Sequence, residues 1–167
     1  TGGTDANVLS GAAGDDTLQG GGGNDTLVGG AGNDSLDGGA GFNSIDAGDG
    51  DDRILSDLSG TDVSDSVDGG AGNDTLSVTA TSSNDLLTLG DEGSGNLDVD
   101  ATLGPIMRAG GVLADGVESL VVSGEGGNDS IVVGDLSGTD VTNSTVSLEG
   151  GAGDDVLNAA LAGRRVV

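Results

Sequence analysis

Five nonapeptides follow one another without a gap from Gly11 to Leu55: GAAGDDTLQ, GGGGNDTLV, GGAGNDSLD, GGAGFNSID and AGDGDDRIL. They follow one template, Gly-Gly-x-Gly-x-Asp-x-(Leu/Ile)-x, with single replacements at Ala12, Asn43 and Ala47, and further copies recur at 69–77, 124–132 and 150–158. A fixed period this short constrains the fold more than any other feature of the chain. One repeat cannot bury its lone apolar residue without a neighbour, so the repeats must stack as a solenoid. The glycines let six residues reverse direction tightly, and the x-(Leu/Ile)-x triplet that follows reads as a short strand with its middle side chain inward. Leu18, Leu27, Leu36, Ile45 and Ile54 take these inward positions, with Leu9 from an imperfect first copy, GGTDANVLS.

Two nonapeptides make one coil, so loops 18 residues apart stack on the same edge. One edge then carries Asp16, Asp34 and Asp52, and the other carries Asn7, Asp25 and Asn43. Each loop sets a carboxylate or amide beside a run of exposed backbone carbonyls, which is oxygen chemistry suited to a hard divalent cation, calcium foremost.

The pattern strongly resembles the repeats-in-toxin (RTX) family of calcium-binding, hemolysin-type repeats. The resemblance implies an all-β fold, a right-handed parallel β-roll or β-helix solenoid with calcium-binding Gly/Asp-rich loops, widening to longer coils after about residue 56. It implies several calcium ions, each held between stacked loops by the motif Asp of both and by loop carbonyls. Carried onto this chain, Asp16/Asp34 and Asp34/Asp52 frame full sites, while Asn7/Asp25 and Asp25/Asn43 frame sites with one carboxylate each and weaker binding. The loop backbone of these sites runs through Gly11, Gly14, Gly20, Gly21, Gly23, Gly29, Gly30, Gly32, Gly38, Gly39, Gly41, Gly48 and Gly50. Beyond the tandem block, Asp74, Asp129 and Asp155 hold the motif position, with loop residues Gly69, Gly70, Gly72, Gly150, Gly151 and Gly153. Phe42, just before Asn43, is a departure from the motif.

Composition adds exclusions. The 167 residues carry 4 Lys+Arg against 29 Asp+Glu, a net charge of −25, with 36 Gly and one aromatic residue. Such a balance rules against nucleic acid and anionic membranes. It would suggest disorder if the periodicity did not argue otherwise. With no His and no Cys, imidazole bases, thiol nucleophiles and zinc sites of those residues are excluded. No apolar run approaches a membrane span. The start at Thr1 has neither a signal-peptide pattern nor an initiator Met, so a processed product or a piece of a longer protein is expected.

From residue 56 the period loosens. DLSGTDV stands at 57–63 and again at 135–141, each time after a motif copy and before a GGAG loop, so Asp52 is expected to stack on Asp74 and Asp129 on Asp155. Two regions of one continuous domain follow: a tandem β-roll over 1–55 and a wider solenoid over 56–167. GSGNLDV at 93–99 reads either as a decayed motif, with Asn96 near the ligand position, or as part of a hairpin over LTLGDEGSGNLDV. Pro105 to Arg108 reads as a loop, and Val156 to Leu161 as a short terminal helix. Asp57, Asp62, Asp65, Asp135 and Asp140 are either further ligands or solvated surface. Asp15, Asp51 and Asp154 are expected to face water, and Asp68 and Glu149 are weaker candidates still.

The function expected is a secreted or cell-surface calcium-binding structural module of bacterial type, without enzymatic activity, whose folding is driven by calcium. The open ends of a solenoid leave head-to-tail self-association, as in a filament or surface layer, or attachment to flanking domains of a longer protein. A polysaccharide-acting β-helix enzyme is the remaining alternative, with the Asp residues already claimed by the repeat.

Overall fold

The computed structural model describes residues 1–58, 64–91, 97–103, 109–134 and 146–159. In the tandem block the chain alternates between two sheets. Strands β1 (Val8–Ala13), β3 (Thr26–Ala31) and β5 (Ser44–Asp49) lie in one; β2 (Thr17–Gln19), β4 (Ser35–Asp37) and β6 (Arg53–Asp57) lie in the other. Pairing is parallel throughout this block, and the inward residues form columns: Leu9, Leu27 and Ile45 in one sheet, Leu18, Leu36 and Ile54 in the other. This is the β-solenoid the nine-residue period requires.

The tight loops depend on left-handed backbone at their second and fourth positions, as at Gly39 (φ 76°) and Gly41 (φ 126°). Among the described residues only two non-glycines have positive φ, Ala12 (84°) and Glu125 (65°), and both stand at the second loop position. They adopt a conformation in which a Cβ is strained because the loop geometry leaves no other.

The later strands are β7 (Ser64–Asp68), β8 (Thr75–Thr79), β9 (Asp85–Asp91), β10 (Leu97–Leu103) and β11 (Ala109–Asp115), then β12 (Ser119–Ser123), β13 (Ser130–Val133), β14 (Val146–Glu149) and β15 (Val156–Ala159). The first sheet has nine strands in the order β1-β3-β5-β7-β11-β10-β9-β13-β15, and the second has six, β2-β4-β6-β8-β12-β14. Coils widen here: the three-residue strands β2 and β4 give way to five residues in β6, β8 and β12. Each of these longer strands buries two side chains instead of one, such as Leu76 with Val78 and Leu120 with Val122.

Between the two readings of 93–99, the structure selects the hairpin. Strands β9 and β10 are antiparallel, with Leu97 opposite Asp91, and β10 returns antiparallel to β11, which lies parallel to β7. Asn96 and the Pro105–Arg108 stretch lie outside the described residues, as do Asp62, Asp135, Asp140 and most of both DLSGTDV segments. The terminal helix is corrected. Val156–Ala159 is strand β15, pairing with β13 through Ser130↔Val156 and Ile131↔Leu157. Asp155-Val156-Leu157 ends a motif copy, and its backbone completes the free edge of β13.

Candidate metal centre

The residue two positions before each inward side chain forms a ladder along each edge, interrupted on one of them by the β9–β11 meander. On one edge the amide of Asp16 donates to Asp34 Oδ1 (2.7 Å), that of Asp34 to Asp52 Oδ1 (2.7 Å), and that of Asp52 to Asp74 Oδ1 (2.8 Å). The amide of Asp74 then donates to Glu118 Oε2 at 2.7 Å. On the other edge the amides of Asn7, Asp25 and Asn43 donate to Asp25, Asn43 and Asp65 Oδ1 in turn. Beyond the β9–β11 meander the same contact runs from Asp85 to Asp129 (2.8 Å) and from Asp129 to Asp155 (2.9 Å). The structure therefore brings Asp52 to Asp74 and Asp129 to Asp155, across inserts that lengthen the coil.

One carboxylate oxygen per rung is thus used to tie neighbouring coils. The second oxygen carries the chemistry. Among the described residues, Oδ2 of Asp16, Asp25, Asp34, Asp52, Asp74 and Asp129 is buried with no hydrogen-bond partner. A buried carboxylate oxygen without a donor is costly and calls for a proton or a cation. Burial is the largest cause of the raised pKa values of Asp52, Asp129 and Asp74, the last pushed up to about 6, and neighbouring carboxylates add to it.

Glycine keeps the space beside these oxygens open. A methyl at Gly20 would lie 2.5 Å from both Asp25 Oδ2 and the Gly38 carbonyl oxygen of the next coil. One at Gly11 would lie 2.6 Å from Asp16 Oδ2 and 2.7 Å from the Gly29 carbonyl oxygen. The same pairing recurs at Gly29, with Asp34 Oδ2 and the Ala47 carbonyl, and at Gly124, with Asp129 Oδ2 and the Gly150 carbonyl. Each cradle thus offers one orphaned carboxylate oxygen facing a backbone carbonyl from the following coil. Among the described residues no three acidic side chains gather at one point, so any ion must draw much of its coordination from carbonyls. Mixed carboxylate and carbonyl oxygens suit calcium.

The two Asn rungs differ. Asn43 Nδ2 donates to its own loop carbonyl at Gly39 (3.2 Å), while its Oδ1 accepts the Asp25 amide (3.0 Å). Asn7 Oδ1 accepts the Gly3 amide at 2.7 Å. Both side chains are engaged within the protein, unlike the Asp Oδ2 atoms.

A second, outer ladder uses the residue before the motif Asp. The amides of Asn33, Asp51 and Asn73 donate to Asp15, Asn33 and Asp51 Oδ1 at 2.9 to 3.0 Å. Asp15 and Asp51 are exposed as expected, yet they also bridge coils. On the opposite edge the Phe42 amide makes the like contact, donating to Asn24 Oδ1 (3.1 Å), but its ring offers no oxygen to the next coil. Asp68, exposed, accepts the Gly70 amide within its own turn (3.1 Å).

Sequence reasoning missed two members of the inner ladders, Asp85 and Glu118, and ranked Asp65 low. All three obey one local rule, an acidic residue two positions before a buried apolar one: Val67, Leu87 and Leu120. Asn84-Asp85 also repeats the Asn-Asp pair of the motif, but the loop ATSSND at 80–85 has no glycine to reveal it.

The model of the RTX calcium-binding nonapeptide repeat matches in four copies, over residues 1–36, 28–59, 59–91 and 146–161. The chain belongs to this family. No curated protein matches it. As an RTX repeat protein it is a calcium-binding β-roll module, and the unpartnered oxygens of Asp16, Asp25, Asp34, Asp52 and Asp74 lie within the matched repeats.

Proposed function

We propose that this RTX roll is a non-catalytic structural module that takes up several calcium ions between stacked loops and folds because of them. The observation that carries this reading is the set of six buried Asp Oδ2 atoms without a hydrogen-bond donor. Asp16, Asp34, Asp52 and Asp74 would hold ions along one edge, with Asp25, Asp129 and Asp155 on the other. The loop carbonyls of Gly29, Gly38, Ala47 and Gly150 would complete the cradles. The bound ion supplies positive charge that offsets the repulsion of stacked carboxylates. That repulsion is about 1 kcal/mol per pair at ~4 Å in water and grows as the surroundings dry. Asn7 and Asn43 would contribute less than the Asp rungs. In this reading, 1–55 and 56–167 are a tandem roll and its wider continuation within one domain. The sheets that run through the junction support it.

RTX repeats occur in secreted bacterial proteins, and this module belongs in an extracellular or cell-surface setting. Millimolar external calcium would saturate sites of roughly 10⁻⁴–10⁻³ M affinity, whereas scarce cytosolic calcium would leave them empty. Calcium titration by calorimetry, followed by far-UV circular dichroism, tests this. Strand signal should rise with calcium and collapse on EGTA; an identical spectrum in both would refute it.

A second reading is head-to-tail association of copies. Val8 on end strand β1 and Val156 and Leu157 on end strand β15 are exposed, which supports it. Light scattering in calcium should then show mass growing with concentration. A strictly monomeric roll would leave attachment to flanking domains instead.

A further inference from the structure

We propose that two carboxylates of the ladders, Asp65 and Asp85, are closed to calcium by neighbouring hydroxyls, so that Ser56 and Thr81 decide where ions are not taken up. The inference rests on the calcium reading above and deepens it. Asp65 and Asp85 are placed like the candidate ligands: each is buried, and each precedes a buried apolar residue by two positions. Asp65 Oδ1 accepts the Asn43 amide at 3.0 Å, the same inter-coil contact that Asp34 makes.

The difference lies at the second oxygen. Ser56 Oγ, fully buried, donates to Asp65 Oδ2 at 2.6 Å. The Thr81 amide and hydroxyl both donate to Asp85 Oδ2, at 2.9 and 2.8 Å. Neither oxygen is among the orphans found at Asp16, Asp25, Asp34, Asp52, Asp74 and Asp129. Thr81 stands at the loop position held by Gly21, Gly30, Gly48 and Gly70 elsewhere, and its side chain turns back onto the carboxylate. An ion at either rung would have to displace a charge-assisted hydrogen bond. At Asp65 it would also leave the buried Ser56 hydroxyl without a partner.

These rungs flank the places where the repeat is interrupted. Asp65 follows the insert after β6, and Asp85 opens the β9–β11 meander. A hydroxyl clasp at each place ties coils together without metal; at Asp85 the loop from Ala80 to Asn84 also has no glycine.

The test is a crystal structure of the full chain grown in calcium, with the ions located by anomalous scattering, and calcium counts from native mass spectrometry. Ions should lie beside Asp34 and Asp52, and none within the ~2.3–2.6 Å bonding range of Asp65 or Asp85. Asp65→Asn and Asp85→Asn should keep the parent's calcium count, while Asp34→Asn loses at least one ion. An ion bonded to Asp65 or Asp85 overturns the proposal. So does a lower count in either of those variants when it keeps the parent's far-UV spectrum. Should a variant fail to fold, the ion positions in the unaltered chain decide. A zero count for the unaltered chain would refute the calcium reading itself, and the contrast between rungs would fall with it.

Discussion

The tandem roll and the wider coils beyond it solve the same stacking problem with different materials. In the roll, strands such as β2 and β4 bury a single Leu each, and a carboxylate or Asn stands in every nine-residue repeat. In the wider part, Leu76 with Val78, Leu87 with Leu89, Leu120 with Val122 and Ile131 with Val133 bury two side chains per strand. Among the described residues, four of the six orphaned Asp oxygens lie in the roll, at Asp16, Asp25, Asp34 and Asp52, and two beyond it, at Asp74 and Asp129. Apolar burial contributes in proportion to area. Among the described residues the roll has about half the buried apolar side chains and twice the unpaired carboxylates, so under the proposed function it should depend more on cations.

Removing calcium should break this comparison open with the largest effect. In EGTA, amides of residues 7–57 should lose hydrogen-exchange protection first and most, while those of β8, β9, β12 and β13 hold longer. Uniform loss along the chain would mean the second apolar column contributes nothing independent.

Single substitutions should come next. Asp34→Asn removes charge from two stacked pairs and should lower calcium affinity at both, read as a weaker and less cooperative titration. Ile131→Ala, by contrast, should cost about 2–5 kcal/mol even in saturating calcium, measured by denaturant unfolding. If Ile131→Ala were silent and Asp34→Asn unfolded the whole chain, the wider coils would be as ion-dependent as the roll.

Acid should act in opposite senses with and without metal. Asp74 has its pKa raised from the ordinary 3.8 to about 6, chiefly by burial. In the metal-free chain its protonated form favours the folded state. That stabilisation is fully present below 3.8 and is lost as pH rises through about 6. Strand content in EGTA should therefore rise on acidification from pH 7.5 to below 4. In calcium the proton competes with the ion, so apparent affinity should fall over the same interval. Matching pH responses in both conditions would contradict the assignment.

The smallest effect is conformational. Ala12→Gly and Glu125→Gly each relieve a left-handed non-glycine and should raise stability in calcium by about 1 kcal/mol, visible as a higher melting temperature. The same size of gain in both regions would show that loop geometry, unlike the core, is common to them.

Most of the roll was legible because its determinants are local. The period assigns each Leu or Ile to the inside, and an 18-residue coil assigns Asp16, Asp34 and Asp52 to one edge. Asp74 and Asp129 were legible too, since each keeps its glycine loop. Asp85 escaped because its loop has no glycine, and Glu118 because it is not Asp and its loop keeps only Gly116. The hairpin of β9 and β10 stayed ambiguous because a Gly-rich turn and a decayed repeat look alike in one dimension.

The sequence by itself determined the solenoid, its two edges and the presence of a carboxylate at regular depth, since these follow from spacing and from what glycine permits. Only the tertiary structure decided which of those carboxylates keeps a free oxygen. Asp34 and Asp65 each stand two residues before an inward side chain, but a hydroxyl from Ser56 reaches Asp65 Oδ2 across space and no donor reaches Asp34 Oδ2. Whether a buried oxygen is satisfied depends on neighbours that the fold brings in from elsewhere in the chain, and no local pattern records them.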